Sequence, residues 1–210
     1  MNEGNLQTVT LGMGCFWSPD ALFGHLTGVI RTRTGYAGGT SADPTYRGMG
    51  DHSETVEIDF DPGRIGLARI LEVFWNHHNP VNINHYKGSQ YRSVVFYRDE
   101  EQLEIIRQVK KQMERGKGEL ETGIEPFSRF HPAEDKHQKY YLKRHPDALE
   151  KLSGLYPAHG DLIRSTLAAR LNGLAKGYTN RGLILNEISE WPISPDRRET
   201  MTDLVKQIRW

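Results

Sequence analysis

Between Leu6 and Tyr97 the spacing of apolar residues switches repeatedly between a period of two and a helical period, and that order limits the folds open to the chain. Val9 and Leu11 mark a strand over Leu6 to Gly12, and a helix is expected from about Pro19 to Leu26. The β-rich run Val29 to Thr34 gives a second strand, ending at Gly35-Tyr36-Ala37-Gly38-Gly39. From Glu54 to Phe60 the residues alternate, with Val56, Ile58 and Phe60 on one face and Glu57 and Asp59 on the other, before Asp61-Pro62-Gly63 turns the chain. Ile65, Ile70, Leu71, Val73 and Phe74 mark an amphipathic helix to about His77, and Ser93 to Tyr97 reads as a buried strand. The order β-α-β-β-α-β predicts an α+β fold of the ferredoxin-like kind, a two-layer α/β sandwich with helices on a mixed sheet. A charged helix from Glu100 to about Arg115 and a strand within Leu120 to Ile124 follow it.

The composition changes after Arg144. His145-Pro146 breaks the chain, and helical patterns follow at Ala148 to Leu152, Leu162 to Leu174 and Thr200 to Ile208, with Leu155, Ile163, Leu167, Leu171 and Leu174 in amphipathic register. Residues 1–145 are therefore expected to form one domain and residues 146–210 a helical C-terminal extension packed on it. A chain of 210 residues has room for one sizeable core and such an appendage. Lys plus Arg and Asp plus Glu both number 27, so no net field recruits nucleic acid or an anionic membrane. Met1 to Asn5 has neither the basic nor the apolar region of a secretion signal, and no apolar run approaches the roughly 20 residues of a membrane span. With one unpaired cysteine, the expected compartment is the cytoplasm.

That cysteine, Cys15, is the only thiol, so any oxidation it undergoes must be reversed by a thiol from another molecule. It sits in Gly14-Cys15-Phe16-Trp17, where a strand gives way to Ser18-Pro19-Asp20, a pattern of capping hydroxyl, first-turn proline and first-turn acid. Amide groups and the dipole of a helix start are expected to favour the thiolate. The glycine-, proline- and serine-rich stretch from Thr40 to Gly50 reads as a functional loop. His77-His78 with His85, and His131 with Asp135 and His137, lack the spacing of a zinc site, so no metal is expected. His137, Tyr140 and Tyr141 share a face at helical spacing, which suits packing on the sheet or a pocket edge.

Six motifs stand in a telling order: Gly14-Cys15-Phe16-Trp17, Thr34-Gly35-Tyr36-Ala37-Gly38-Gly39, Pro44-Thr45-Tyr46, His52-Ser53-Glu54, Gln90-Tyr91-Arg92-Ser93 and Pro132-Ala133-Glu134-Asp135-Lys136-His137-Gln138. Through them the chain resembles the A-type peptide methionine sulfoxide reductases from about residue 7 to residue 143. The resemblance implies that Cys15 attacks the sulfoxide sulfur and that Glu54 protonates the departing oxygen. It also implies that Tyr36 and Tyr91 hydrogen-bond that oxygen and that Phe16 and Trp17 receive the ε-methyl group. Where the family commonly has an aspartate this chain has Tyr86, which can donate a hydrogen bond but carries no charge at neutral pH.

The family's C-terminal resolving cysteines are absent as well. The resemblance is thus to a one-cysteine form, in which Cys15 becomes a sulfenic acid that an external thiol reduces, without a cofactor. Glutathione with glutaredoxin, or thioredoxin, is the expected reductant. Methionine S-sulfoxide, free or in oxidised proteins, is the expected substrate. A one-cysteine thiol peroxidase and a non-catalytic binder of oxidised methionine are the rival readings; Phe16-Trp17 suits a methyl group better than a peroxide.

Overall fold

The alternating apolar residues meet across one sheet in the computed structural model, which describes residues 5–80 and 87–210. Its strands are β1 (Gln7–Met13), β2 (Val29–Ala37), β3 (Ser53–Phe60), β4 (Ser93–Tyr97), β5 (Gly123–Pro126) and β6 (Phe130–Pro132), in the order β5-β4-β1-β3-β2-β6. β1 runs antiparallel to β3 and β4, and β2 to β3 and β6, while β4 and β5 are parallel. The sheet is therefore mixed, and the fold is α+β. β3 lies between β1 and β2, so β1, β2, β3 and β4 all bring one terminus to the same end of the sheet. The site forms at that end.

One face of the sheet is apolar and carries three helices, α1 (Trp17–Gly24), α2 (Leu67–Asn76) and α3 (Glu100–Lys117). Val9, Leu11, Val56 and Ile58 pack there with Phe23 of α1, Phe74 of α2 and Ile106 of α3. α3 is well specified locally: Asp99 accepts a 2.8 Å hydrogen bond from the Gln102 amide, with Glu100 and Glu101 in the first turn and Arg115 and Lys117 in the last. The other face does not point its charges into water. Glu57 and Asp59 are almost fully buried, and Arg33 and Arg98 pair with Glu57 while Arg31 pairs with Asp59.

The tail contains α4 (Pro146–Leu155), α5 (His159–Arg164), α6 (Thr166–Lys176), α7 (Arg181–Glu190) and α8 (Pro195–Gln207). These helices enclose their own core, including Leu152, Leu171, Ile184, Ile188 and Val205. The continuous helix expected from Leu162 to Leu174 is in fact two. Ser165 adopts extended backbone and its hydroxyl accepts from the Ala168 amide at 3.0 Å, so it ends α5 and caps α6. α6 lies tightly against α1, because a Cβ on Gly24 would come within 2.9 Å of the Ala169 carbonyl oxygen and one on Gly173 within 2.5 Å of His25 Cβ. Small residues at this crossing bring the tail onto the helix that follows Cys15.

Candidate active site

β1 ends at Met13, and Gly14, at φ +91°, turns the backbone through a conformation open to glycine so that Cys15 stands exposed before α1. Glu54 lies near the start of β3 directly across from Tyr36 near the end of β2, so the two side chains leave the same face of the sheet. The chain entering β4 closes the third side: the Gln90 carbonyl accepts from the Glu54 amide at 2.8 Å.

Glu54 is 1 % exposed. Its Oε2 accepts from the Phe16 amide at 3.1 Å, and its Oε1 from Gln90 Nε2 at 2.9 Å. Burial pushes its carboxyl up, against the pull of those two hydrogen bonds. The Cys15 thiol is also pushed up, first by the walls that shield it from water and further by the Glu54 charge, with a Trp17 backbone hydrogen bond opposing both. This corrects the thiolate expected from a helix start. Desolvation and a neighbouring carboxylate outweigh a dipole at the end of an eight-residue helix.

The expected cap is corrected too. The helix begins at Trp17 with Phe16 in the capping position and no side-chain cap; the Ser18 hydroxyl instead lies 2.9 Å from Tyr141 Oη, and Asp20 is fully buried against Lys139.

Around Cys15 the rings form a wall. Phe16 is buried, 6.0 Å from the Tyr36 ring and 5.4 Å from that of His137. Trp17 stacks on Tyr140 at 3.8 Å and 4°, and its Nε1 donates to His137 Nδ1 at 3.2 Å. His137, Tyr140 and Tyr141 do not lie on a helix as their spacing suggested: a short 3-10 turn at Asp135–His137 is followed by Lys139 at φ +51°. A reversal of the chain, rather than helical pitch, presents His137 and Tyr140 to the indole.

Tyr36 Oη donates to Glu134 Oε2 at 2.7 Å, and Glu134 Oε1 accepts from the Tyr46 amide at 3.0 Å. Burial, then the Glu134 carboxylate, drive the Tyr36 phenol far up. Tyr91 is half-buried, hydrogen-bonds Tyr46, and is pushed up by burial and by the charge of Glu54. Cys15, Phe16, Trp17, Tyr36, Glu54 and Tyr91 thus gather at one place; Tyr86 and His85 lie outside the described residues. Glu134, Tyr46, Gln90 and Met49 join them without having been assigned from the sequence, and Tyr140, read there as packing or a pocket edge, stands in the aromatic wall. Glu134, Tyr46 and Gln90 stand within the quoted motifs, and Met49 in the loop read as functional, which was the signal available.

Among the described residues no three His, Cys, Asp or Glu side chains converge on a metal-sized space. His131 lies edge-on to His52, and His78 binds the Phe74 carbonyl and Ser93.

The description of one family, peptide methionine sulfoxide reductase, matches residues 7–161. This chain belongs to that family. It is similar to a peptide methionine sulfoxide reductase of Drosophila melanogaster, 40% identical over 194 residues, 91% of this chain and 77% of the relative. An alignment of that length enters the C-terminal helices. The MsrA of Methanococcoides burtonii is 43% identical over 148 residues, 66% of this chain and 97% of the relative.

Among solved structures, Mxr1 of Saccharomyces cerevisiae in reduced form superposes with a TM-score of 0.62 at 27% identity, covering 69% of this chain and 88% of that one. The same yeast protein is also known in complex with Trx2, and this chain shares its fold at 22% identity and a TM-score of 0.51, over 65% of this chain and 86% of that one. The chain is an oxidoreductase that reduces methionine sulfoxide. The reductase has helices beyond residue 161, the end of the family match.

Proposed function

We propose that Cys15 is the nucleophile and Glu54 the proton donor of this reduction, acting on the S epimer of methionine sulfoxide, free or in oxidised proteins. The observation that carries the reading is Glu54: a buried carboxyl, biased toward its protonated form, tied to the amide of the residue after Cys15. The Cys15 sulfur attacks the sulfoxide sulfur while the sulfoxide oxygen takes protons and departs as water; a water then attacks the Cys15 sulfur and the new sulfur–sulfur bond breaks. The sulfide leaves as methionine, reduced by two electrons, and Cys15 is left as a sulfenic acid, oxidised by two.

A neutral acid fits this step, because oxygen departs as hydroxide or water and not as an oxide; such a donor is typically worth about 10²- to 10⁴-fold. Phe16 and Trp17 form the apolar wall for the methyl group. Tyr36 and Tyr91, with Tyr86 as a further candidate, bind the oxygen. Two equivalents of an external thiol then return Cys15 to the thiol and release water and a disulfide. Glutathione with glutaredoxin is the preferred route and thioredoxin the alternative, the latter supported by a relative of the same fold known with Trx2.

We read the β4-β1-β3-β2 core as ferredoxin-like, residues 1–145 as the catalytic domain and residues 146–210 as an extension packed on it. We read the reductase as cytoplasmic, which suits an unpaired catalytic thiol. The deciding experiment is turnover of dabsylated methionine S-sulfoxide with dithiothreitol. Wild type is expected to turn over and Cys15→Ser to be inactive while folded. Without added thiol, one methionine should be released per enzyme and the sulfenic acid should be trapped by dimedone; turnover by Cys15→Ser rejects the reading.

A further inference from the structure

We infer that Asn172, in the C-terminal extension, is a positioning residue for the aromatic wall of the substrate pocket, so that the extension sets how tightly the enzyme binds its substrate. The inference rests on the reading of Trp17 as part of that wall.

Asp20 is a fully buried carboxylate. Its Oδ1 accepts from Thr32 Oγ1 at 2.6 Å and from Lys139 Nζ at 2.7 Å. Its Oδ2 accepts from the Lys139 amide at 3.0 Å and from Asn172 Nδ2 at 3.1 Å. Asp20 therefore joins α1, β2, the turn at Lys139 and the tail in one buried cluster.

Lys139 is the critical member because it is a non-glycine residue at φ +51°, a conformation that holds only where its surroundings enforce it. Asp20 enforces it through both the backbone amide and the ammonium group of Lys139. On one side of this turn is His137, which accepts from the Trp17 indole, and on the other is Tyr140, which stacks on the same indole. The left-handed turn thus decides whether two rings grip Trp17.

Asn172 closes the arrangement from α6. While its Nδ2 donates to Asp20, its Oδ1 accepts from the Leu142 amide at 3.0 Å, just beyond Tyr140 and Tyr141. One amide side chain clamps both the helix that carries Trp17 and the far end of the segment that stacks on it. Asn172 is itself fully buried, so removing its side chain takes a partner from two buried groups, the Asp20 carboxylate and the Leu142 amide.

The test is the KM and kcat of Asn172→Ala and Asn172→Asp, each as a ratio to wild type across pH, with Trp17→Ala alongside. Asn172→Ala is expected to raise KM about three- to ten-fold at every pH with kcat changed less, and to leave the Cys15 alkylation rate as in wild type. Asn172→Asp keeps the acceptor for Leu142 but donates to Asp20 only when protonated. The charged groups nearest the new carboxyl are Asp20 and, through it, Lys139, with Lys143 acting on both. Its KM ratio should lie near one below about pH 6 and rise by about pH 8, a profile that mere loss of stability does not produce.

A wild-type KM in Asn172→Ala, or matching flat ratios in the two variants, overturns the inference. If Trp17→Ala raises KM and Asn172→Ala does not, only the role of Asn172 falls. If Trp17→Ala leaves KM unchanged, the reading of the wall falls and takes the role of Asn172 with it.

Discussion

Tyr36 points its one phenolic proton at Glu134, 2.7 Å away, and not into the space beside Cys15. A phenol has a single proton to give, so while it donates to Glu134 it can only accept from a substrate. For Tyr36 to bind a sulfoxide oxygen it must turn that proton away from Glu134, and the strength of the pair opposes the turn. Glu134 is held below the usual carboxylate range: burial pushes it up, but Tyr36 and backbone amides outweigh that. Glu134→Gln weakens the acceptor and frees the Tyr36 proton. We expect kcat/KM to change less than ten-fold in Glu134→Gln, and the added effect of Tyr36→Phe to be larger in that background than in wild type. A double-mutant cycle on kcat/KM measures this, and strict additivity refutes the coupling.

The pH dependence follows from two groups pushed in the same direction. Cys15 has its pKa raised, so the thiolate fraction and the rate of alkylation by iodoacetamide should increase through and beyond the ordinary thiol range. Glu54 also has its pKa raised, so it keeps its proton to higher pH than a free glutamate and loses donor capacity as pH climbs through the raised value. Glu54→Gln should slow the first reduction step by about 10²-fold or more near neutral pH, with the deficit shrinking in acid. It should also bring the alkylation midpoint of Cys15 down, because the Glu54 charge is one of the forces raising it. Stopped-flow turnover and alkylation rates across pH check both; an unmoved midpoint contradicts the electrostatic link.

The elements best read from the sequence were those whose residues alternate between core and cover. β1 to β4 and α1 to α3 fall near their expected places because Val9, Leu11, Val56, Ile58, Ile70 and Phe74 face one apolar core. β6 was not foreseen: three residues, Phe130 to Pro132, are too few to show a period, and pairing with β2 alone defines the strand. α7 was missed as well, since Ile184, Glu187 and Ile188 are its buried positions and one of them is a charged partner of Arg170.

In the site, Cys15 and Glu54 stood out through the motifs, whereas Glu134 joins Tyr36 across 98 residues of sequence. No local pattern encodes such a pairing. The direction of the Cys15 shift is not legible in the helix start alone, because the burial that raises it comes from the rest of the fold.

The extension should also matter for stability through Arg170, whose guanidinium is 1 % exposed. Its Nε and Nη2 hold Glu187 at 2.7 and 2.8 Å, while Nη1 and Nη2 donate to the Gly24 and Val29 carbonyls at 2.6 and 2.7 Å. Gly24 is the last residue of α1, so a tail residue satisfies the end of the helix that follows Cys15. Arg170→Met leaves Glu187 without its cation and two carbonyls without donors. The expected loss is about 3 to 5 kcal/mol in urea unfolding, with part recovered in Arg170→Met/Glu187→Leu, because an unpaired buried charge costs more than an apolar pair. A loss under about 1 kcal/mol contradicts the contribution of this network.

Regeneration is where the single cysteine has its largest consequence. No second thiol in the chain can close on a Cys15 sulfenic acid, so the first reducing thiol must come from outside. Cys15 is exposed, and the two residues after it, Phe16 and Trp17, are packed against His137 and Tyr140, rigid bulk that a small thiol passes more easily than a protein surface does. Glutathione should add first and release water, forming a mixed disulfide on Cys15 that a glutaredoxin thiol then attacks at the glutathione sulfur. Mass spectrometry of substrate-oxidised enzyme mixed with glutathione is expected to show one adduct, at Cys15, and steady-state turnover should rise more with glutathione and glutaredoxin than with thioredoxin and its reductase. Equal or faster turnover with thioredoxin alone, together with no adduct, would show that a protein thiol reaches the sulfur directly and would leave the reductase assignment standing.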